Sequence, residues 1–143
     1  MSAQLSFEKV DKYYQNILTK NKMLETYADV SFNSLLYLEN VQSLTNPTIS
    51  ELASAMNVKK PSASNMVKKL ADMDLLEVKR SDIDKRVSKL SLSAKGNELV
   101  EQFRSADERF FEKIEKILDY QEFEVFVGLW EKITSNLEEE TGK

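Results

Sequence analysis

The chain has 143 residues, 41% of them hydrophobic and 31% charged, which is the balance of a soluble globular protein large enough for one core. It contains no cysteine and no histidine, which excludes disulfides and thiolate metal sites and removes the usual general base. The N-terminus has no apolar signal core, and no apolar run reaches the roughly 20 residues that a membrane span needs, so we expect a cytoplasmic protein.

The net charge of −4 conceals a segregation along the chain. Residues 1–44 carry a net charge of −1, residues 45–95 carry +4 and residues 96–143 carry −7. Binding to phosphate depends on local charge, because salt screens exposed charges beyond about 10 Å. A basic middle between acidic ends therefore favours a protein that presents one face to nucleic acid.

Two helices are predicted in the N-terminal part. Apolar residues at helical spacing predict one helix from about Glu8 to Tyr27 and a second from about Phe32 to Ser43. Pro47 ends this segment, because a proline keeps the residue before it, Asn46, out of the α region.

A helix-turn-helix follows. Thr48 and Glu51 match a capping box that begins a short helix, and Asn57 suits the turn after it because asparagine tolerates a positive φ. Pro61 is well placed as the first residue of the next helix, where its missing N–H costs nothing. That helix would turn five apolar side chains inward: Ala63, Met66, Val67, Leu70 and Met73.

A basic hairpin is predicted next, with strands at Leu75–Val78 and Val87–Leu92 joined by the polar residues 79–86. Ser93 then begins a helix of roughly 25 residues, and a last helix starts near Gln121. These two helices carry more large apolar groups than they can hide alone, namely Phe110, Phe111, Phe123, Phe126, Leu129 and Trp130. Dimerisation through them is the leading interpretation. The alternative is that they fold back on the hairpin module.

The order of two short helices and a basic hairpin is the plan of a winged helix-turn-helix that reads duplex DNA. Small polar side chains on its second helix can hydrogen-bond base edges in the major groove, namely Ser62, Ser64 and Asn65. Nearby lysines suit phosphates, namely Lys60, Lys68 and Lys69. A narrow minor groove attracts cations such as Lys85 and Arg86 at the hairpin tip, and Asp84 could fix the tip's shape. The simpler interpretation is a helical packing unit with a solvated basic face.

The stretch ISELASAMNVKKPSASNMVKKLADMDLLEV, followed by Asp84-Lys85-Arg86 and by Ser93-Ala94-Lys95-Gly96, resembles the MarR family of transcriptional regulators. The resemblance implies a mainly α fold with a small β-hairpin wing: a winged helix-turn-helix flanked by long N- and C-terminal dimerisation helices. It implies one domain over 1–143, with the DNA-binding module at 30–95 and dimerisation helices at 1–29 and 96–143. Two departures from the family pattern are Asp74, where glycine is usual, and Asn65, where arginine is frequent.

The resemblance also implies function. It implies a homodimeric regulator, most simply a repressor, that binds double-stranded DNA at a pseudo-palindromic site. The wing arginine, Arg86, would enter the minor groove with support from Asp84. A small aromatic or anionic effector would bind in a cleft between the dimerisation helices and the winged module, with five candidate lining residues: Tyr13, Tyr14, Tyr27, Tyr37 and Trp130.

Other classes of protein fit less well. The recognition stretch also resembles iron- and manganese-dependent repressors, but these usually need histidine ligands, and we expect neither a metal nor another cofactor. No nucleophile elbow or Gly-rich phosphate loop suggests an enzyme. The rival hypothesis is an interaction module that uses its acidic C-terminal helices as the working surface and does not bind specific DNA.

Overall fold

The computed structural model describes residues 1–84 and 86–141, the last four of them as backbone only. The chain divides into two compact units, Met1–Ser105 and a second that begins at Ala106. The described residues form seven helices and one antiparallel hairpin, in the order α1 (Ala3–Thr19), α2 (Lys22–Thr26), α3 (Phe32–Leu44), α4 (Ile49–Ala55), α5 (Lys60–Asp72), β1 (Leu76–Arg80), β2 (Ser88–Leu92), α6 (Ala94–Ile117) and α7 (Tyr120–Thr141). The predicted fold class is confirmed. No helix of the described residues is long and apolar enough to cross a membrane.

The N-terminal helix differs from the prediction, because residues 8–27 do not form one continuous helix. Helix α1 begins earlier, where the Ser2 hydroxyl accepts a hydrogen bond from the Leu5 amide at 3.1 Å. The break comes at Asn21, whose side-chain oxygen accepts from the Leu24 amide at 3.1 Å and so begins α2. The Asn21 amide group also donates to Gln102 at 2.6 Å. Asparagine competes with the helix for backbone hydrogen bonds, which apolar spacing alone does not reveal.

The core of the first unit lies where α3, α4, α5 and the hairpin meet the first half of α6. Each element contributes side chains with almost no exposure, including Leu38, Val41, Leu52, Leu70, Leu75, Leu90, Leu99 and Val100. Helix α3 ends one residue later than predicted, at Leu44, and the positive φ angles of Thr45 (55°) and Asn46 (52°) turn the chain toward α4.

The helix-turn-helix is close to the prediction. Both arms of the capping box are present: the Glu51 amide donates to the Thr48 hydroxyl at 3.1 Å, and the Thr48 amide donates to the Glu51 carboxylate at 3.2 Å. These hydrogen bonds hold the pKa of Glu51 below its ordinary value. Asn57 has a φ of 55° and makes the turn. Helix α5 begins at Lys60, so Pro61 is its second residue rather than its first.

The hairpin strands are each shifted by one residue from their predicted starts. Leu76 pairs with Leu92, and Lys79 pairs with Lys89. The Leu90 amide donates to the Pro47 carbonyl at 2.8 Å, so the segment before α4 lies beside β2. The hairpin therefore has an inner face that packs on the helices and an outer face that turns away from them.

A joint of backbone and side-chain contacts ties both ends of the hairpin to α6. Asp74 turns the chain into β1 with a φ of 59°, and its carbonyl accepts the Ser93 hydroxyl at 2.6 Å. The same hydroxyl accepts from the Gly96 amide at 2.9 Å, which caps α6 as predicted. The Ser93 amide donates to the Leu75 carbonyl at 3.1 Å. A Cβ on Gly96 would lie 2.0 Å from that carbonyl oxygen, so only glycine fits.

The second unit contains the end of α6 and α7. The Asp119 carboxylate accepts from the Glu122 amide at 2.8 Å and caps α7. Phe126 lies between Phe123 and Trp130, with ring centroids 6.2 and 5.3 Å away. Apolar side chains at every fourth position of α7 are exposed in the single chain, namely Val125, Leu129, Ile133 and Leu137.

Substitution of glycine by alanine should have opposite effects on the free energy of unfolding at Gly96 and Gly128. Gly96→Ala should lower the free energy of unfolding by about 1–3 kcal/mol, because the new methyl overlaps the Leu75 backbone. Gly128→Ala is the matched control: among the described residues no atom outside the neighbouring helix backbone lies within 4 Å of a Cβ there, and alanine should stabilise exposed helix α7 by up to about 1 kcal/mol. Urea unfolding of the two variants checks this. Equal destabilisation would show that the close approach at Gly96 is not what matters.

Candidate nucleic-acid interface

Helix α5 presents a polar face opposite its core face. Ala63, Val67 and Leu70 are buried, as their helical spacing requires. Three predicted site residues are exposed at i, i+3 and i+7 on the other side, namely Ser62, Asn65 and Lys69. Their hydroxyl, amide and ammonium groups can therefore all face a partner at once.

A second row runs beside the first, at i, i+4 and i+8. Lys60 and Lys68 are exposed, whereas Ser64 between them is half-buried. No carboxylate of the described residues forms an ion pair with Lys60, Lys68 or Lys69. Their charges are thus available to an anionic partner.

The hairpin tip is shaped by hydrogen bonds to two short polar side chains. The Ser81 hydroxyl accepts from the Ile83 and Asp84 amides at 3.2 and 3.3 Å. The Asp84 carboxylate accepts from the Arg86 amide at 3.0 Å and lies 3.4 Å from its Nε. The Arg86 side chain is 92% exposed, so Asp84 holds it at Nε while its two Nη groups have no partner among the described residues. Lys85, also a predicted site residue, lies outside the described residues.

The tip and α5 meet around a small cleft of about 180 Å³. Lys60 lines it from the start of α5, Arg86 from the hairpin, and Thr48 and Ser50 from the start of α4. Residues that are 26 positions apart in the sequence thus share one surface.

The outer face of the hairpin holds a larger cleft, of about 550 Å³, that the sequence analysis did not identify. Lys79, Arg80 and Lys89 line it together with Asp82 and the turn at Thr45 and Asn46. The residues 79–86 were predicted as a polar connection, although Lys79 and Arg80 belong to β1. Strict alternation along two paired strands is the signal that would have placed Lys79 and Lys89 on one face.

The aromatic residues predicted for an effector pocket lie in different surroundings. Tyr37 is buried in the core of the first unit, Tyr14 and Tyr27 are half-buried, and Tyr13 is exposed. Trp130 belongs to the second unit and packs against Phe126. The two clefts around the hairpin are lined by other residues.

This arrangement of helices and hairpin is similar to that of known proteins. Residues 30–88, which span α3 to the start of β2, match the model of the MarR family. Over these residues the chain is similar to the MarR family of regulators. No curated protein matches the chain significantly.

Several solved structures share this fold over nearly the whole chain. MepR of S. aureus bound to ethidium bromide superposes with a TM-score of 0.71 at 20% identity, covering 96% of this chain and 97% of that one. FabT of Streptococcus pneumoniae in complex with DNA gives 0.68 at 19% identity, covering 96% and 99%. A MarR-like transcriptional regulator of Thermotoga maritima gives 0.70 at 19% identity, covering 96% and 97%. At these identities the likeness shows the fold.

Proposed function

We propose that this chain is a sequence-specific DNA-binding transcriptional regulator that acts as a homodimer, most simply as a repressor. The observation that carries the proposal is the shared surface of α5 and the hairpin tip, where a polar and basic helix face adjoins an exposed arginine. Duplex DNA fits this surface, because its major groove admits a helix and its adjacent minor groove attracts an arginine.

Each predicted residue has a part in this proposal. The hydroxyls of Ser62 and Ser64 and the amide of Asn65 read base edges in the major groove. The four lysines bind phosphates and so set affinity rather than sequence preference, namely Lys60, Lys68, Lys69 and Lys85. Arg86 enters the minor groove beside the helix.

Asp84 acts through Arg86. A carboxylate near DNA repels phosphate, but this one accepts the Arg86 amide and faces its Nε. Those contacts restrict the Arg86 backbone and its side chain as far as Nε, which lowers the entropy that Arg86 loses on binding. We therefore assign Asp84 to positioning and not to DNA contact.

The homodimer is supported by the exposed apolar row on α7. Val125, Leu129 and Ile133 are each more than half exposed in the single chain and lie at spacings of four. Such a row on one helix is typical of a surface that another chain covers. A two-fold dimer would place two α5 helices about one turn of DNA apart, roughly 34 Å, and so read a pseudo-palindrome.

An effector is the remaining part of the proposal. MepR has been solved with ethidium bromide, an aromatic cation, and FabT has been solved with DNA. By analogy we propose that a small aromatic or anionic compound binds near some of Tyr13, Tyr14, Tyr27, Tyr37 and Trp130 and releases the DNA. The fully buried Tyr37 would take part only after a rearrangement of the core.

Fluorescence anisotropy tests the function directly. A duplex selected from a random-sequence pool is compared with its scrambled form at about 50 and about 200 mM salt. A preference of about a hundredfold or more that persists at the higher salt supports a sequence-reading regulator. Equal binding that salt abolishes, or no binding, would favour the rival interaction module with its acidic C-terminal helices.

The positioning role of Asp84 predicts that its removal changes DNA affinity in the direction opposite to the one expected from its charge alone. Asp84→Ala should weaken DNA binding although it removes a negative charge, because Arg86 loses its two contacts. Asp82→Ala is the matched control, since Asp82 is an exposed carboxylate on the same hairpin without a contact to Arg86. It should leave affinity unchanged or raise it. Titration by anisotropy compares the two, and tighter binding by Asp84→Ala would refute the positioning role.

The apolar row predicts a change of oligomeric state. Leu129→Lys should convert the dimer to a monomer, because a lysine in a closed apolar interface must be desolvated. Glu131→Lys lies on the opposite side of α7 and should leave the dimer intact. Sedimentation equilibrium measures both. A wild-type monomer at micromolar concentration would contradict the proposed assembly.

A further inference from the structure

The cleft on the outer face of the hairpin is lined by a group of cations that the surface of α5 and the tip does not use. Lys79 of β1 and Lys89 of β2 are paired directly across the hairpin, so their side chains emerge side by side. Arg80, the next residue of β1, pairs with Ser88 on the other face of the hairpin but also borders this cleft at the tip end, and Thr45 and Asn46 line the cleft as well. All three cations are exposed.

The carboxylates around the cleft leave these cations without ion pairs. Asp82 lines the cleft, and Glu77 is on the outer face of the hairpin. The Glu51 carboxylate lies close enough to Lys89 for an electrostatic attraction. The Glu51 carboxylate is engaged with the Thr48 amide at 3.2 Å. Among the described residues, none of these carboxylates lies within 4.0 Å of a cleft cation.

The paired lysines are unfavourable for the fold itself. Like charges directly opposite each other on an antiparallel hairpin destabilise it, whereas a polar neutral pair would not. Glu51 attracts Lys89 from a distance, but no ion pair among the described residues neutralises either lysine. An anion that binds both ammonium groups would offset their repulsion, and the open shape of the cleft admits an extended polyanion.

The position of the cleft indicates which part of a polyanion it meets. The inner face of the hairpin, with Leu76 and Leu90, packs toward the helices, and the small cleft with Lys60 and Arg86 lies on that side. The outer face is therefore on the side of the hairpin away from α5. When α5 occupies a major groove and Arg86 the next minor groove, the outer face meets the phosphate ridge on the far side of that minor groove.

We propose that Lys79 and Lys89, with Arg80, form a second phosphate-binding surface that grips the DNA backbone beyond the minor groove entered by Arg86. This inference rests on the proposed DNA-binding function. The hairpin then lies across the minor groove. Lys60 at the start of α5 contacts the phosphates on one side of the groove, and the cations of the outer cleft contact the phosphates on the other side. The contact adds affinity and salt dependence without reading sequence.

The test uses the full-length protein and the selected duplex. The double variant Lys79→Gln/Lys89→Gln is compared with Lys9→Gln/Lys12→Gln, which removes the same charge from exposed positions on α1. Binding is measured against salt, and phosphate ethylation interference maps which backbone positions each protein needs. Thermal unfolding of each variant, recorded in parallel, reports on the fold.

The outer-face variant should lower the slope of log K against log salt by roughly 1.8, since each phosphate contact contributes about 0.9. Ethylation interference should disappear only at the phosphates on the far side of the minor groove that Arg86 enters. The melting temperature of the variant should be no lower than that of the wild type. The control variant should keep both the slope and the map.

Three results would overturn the proposal. An unchanged slope with selective binding intact would refute the second surface and leave the DNA-binding function standing. A uniform loss of interference on both ridges would show a general charge effect. If wild type bound no duplex selectively, the proposed function would fail and this inference with it.

Discussion

The close approach of Gly96 to the Leu75 carbonyl is the constraint on which the rest of the first unit depends. It brings the first turn of α6 against the point where the chain leaves α5 and enters β1. Ser93 completes the joint by bonding the Asp74 carbonyl and the Gly96 amide with one hydroxyl. Because the hairpin begins and ends at this joint, its direction relative to α5 is fixed by backbone contacts. The surface shared by Lys60 and Arg86 follows from that direction.

Local signals in the sequence predicted much of this arrangement. The capping box at Thr48, the left-handed turn at Asn57 and the cap at Ser93 each depend on residues three or fewer positions apart, and each was confirmed. Asp74 occupies a left-handed conformation, which a short polar side chain tolerates. These features could be predicted because the chemistry and its partner lie in the same short segment.

Features that depend on distant partners could not be predicted. The break at Asn21 coincides with a hydrogen bond to Gln102, 81 residues away. Alternation along each strand puts Lys79 and Lys89 on the outer face, but their direct pairing depends on the hairpin register. The need for glycine at position 96 depends on a carbonyl that folding brings to it. The exposure of Ser62, Asn65 and Lys69 on α5, in contrast, could be predicted from helical spacing alone.

The position of the hairpin tip in a DNA minor groove can be measured directly, because the chain contains no cysteine. Ile83 at the tip is fully exposed, so Ile83→Cys can carry a single tethered iron chelate that cuts nearby DNA. Ser135→Cys on exposed α7 carries the same probe as a control. The account predicts localised cleavage from the tip probe at fixed positions in the selected duplex, and none from the control. Diffuse cleavage, or equal cleavage from both positions, would contradict it.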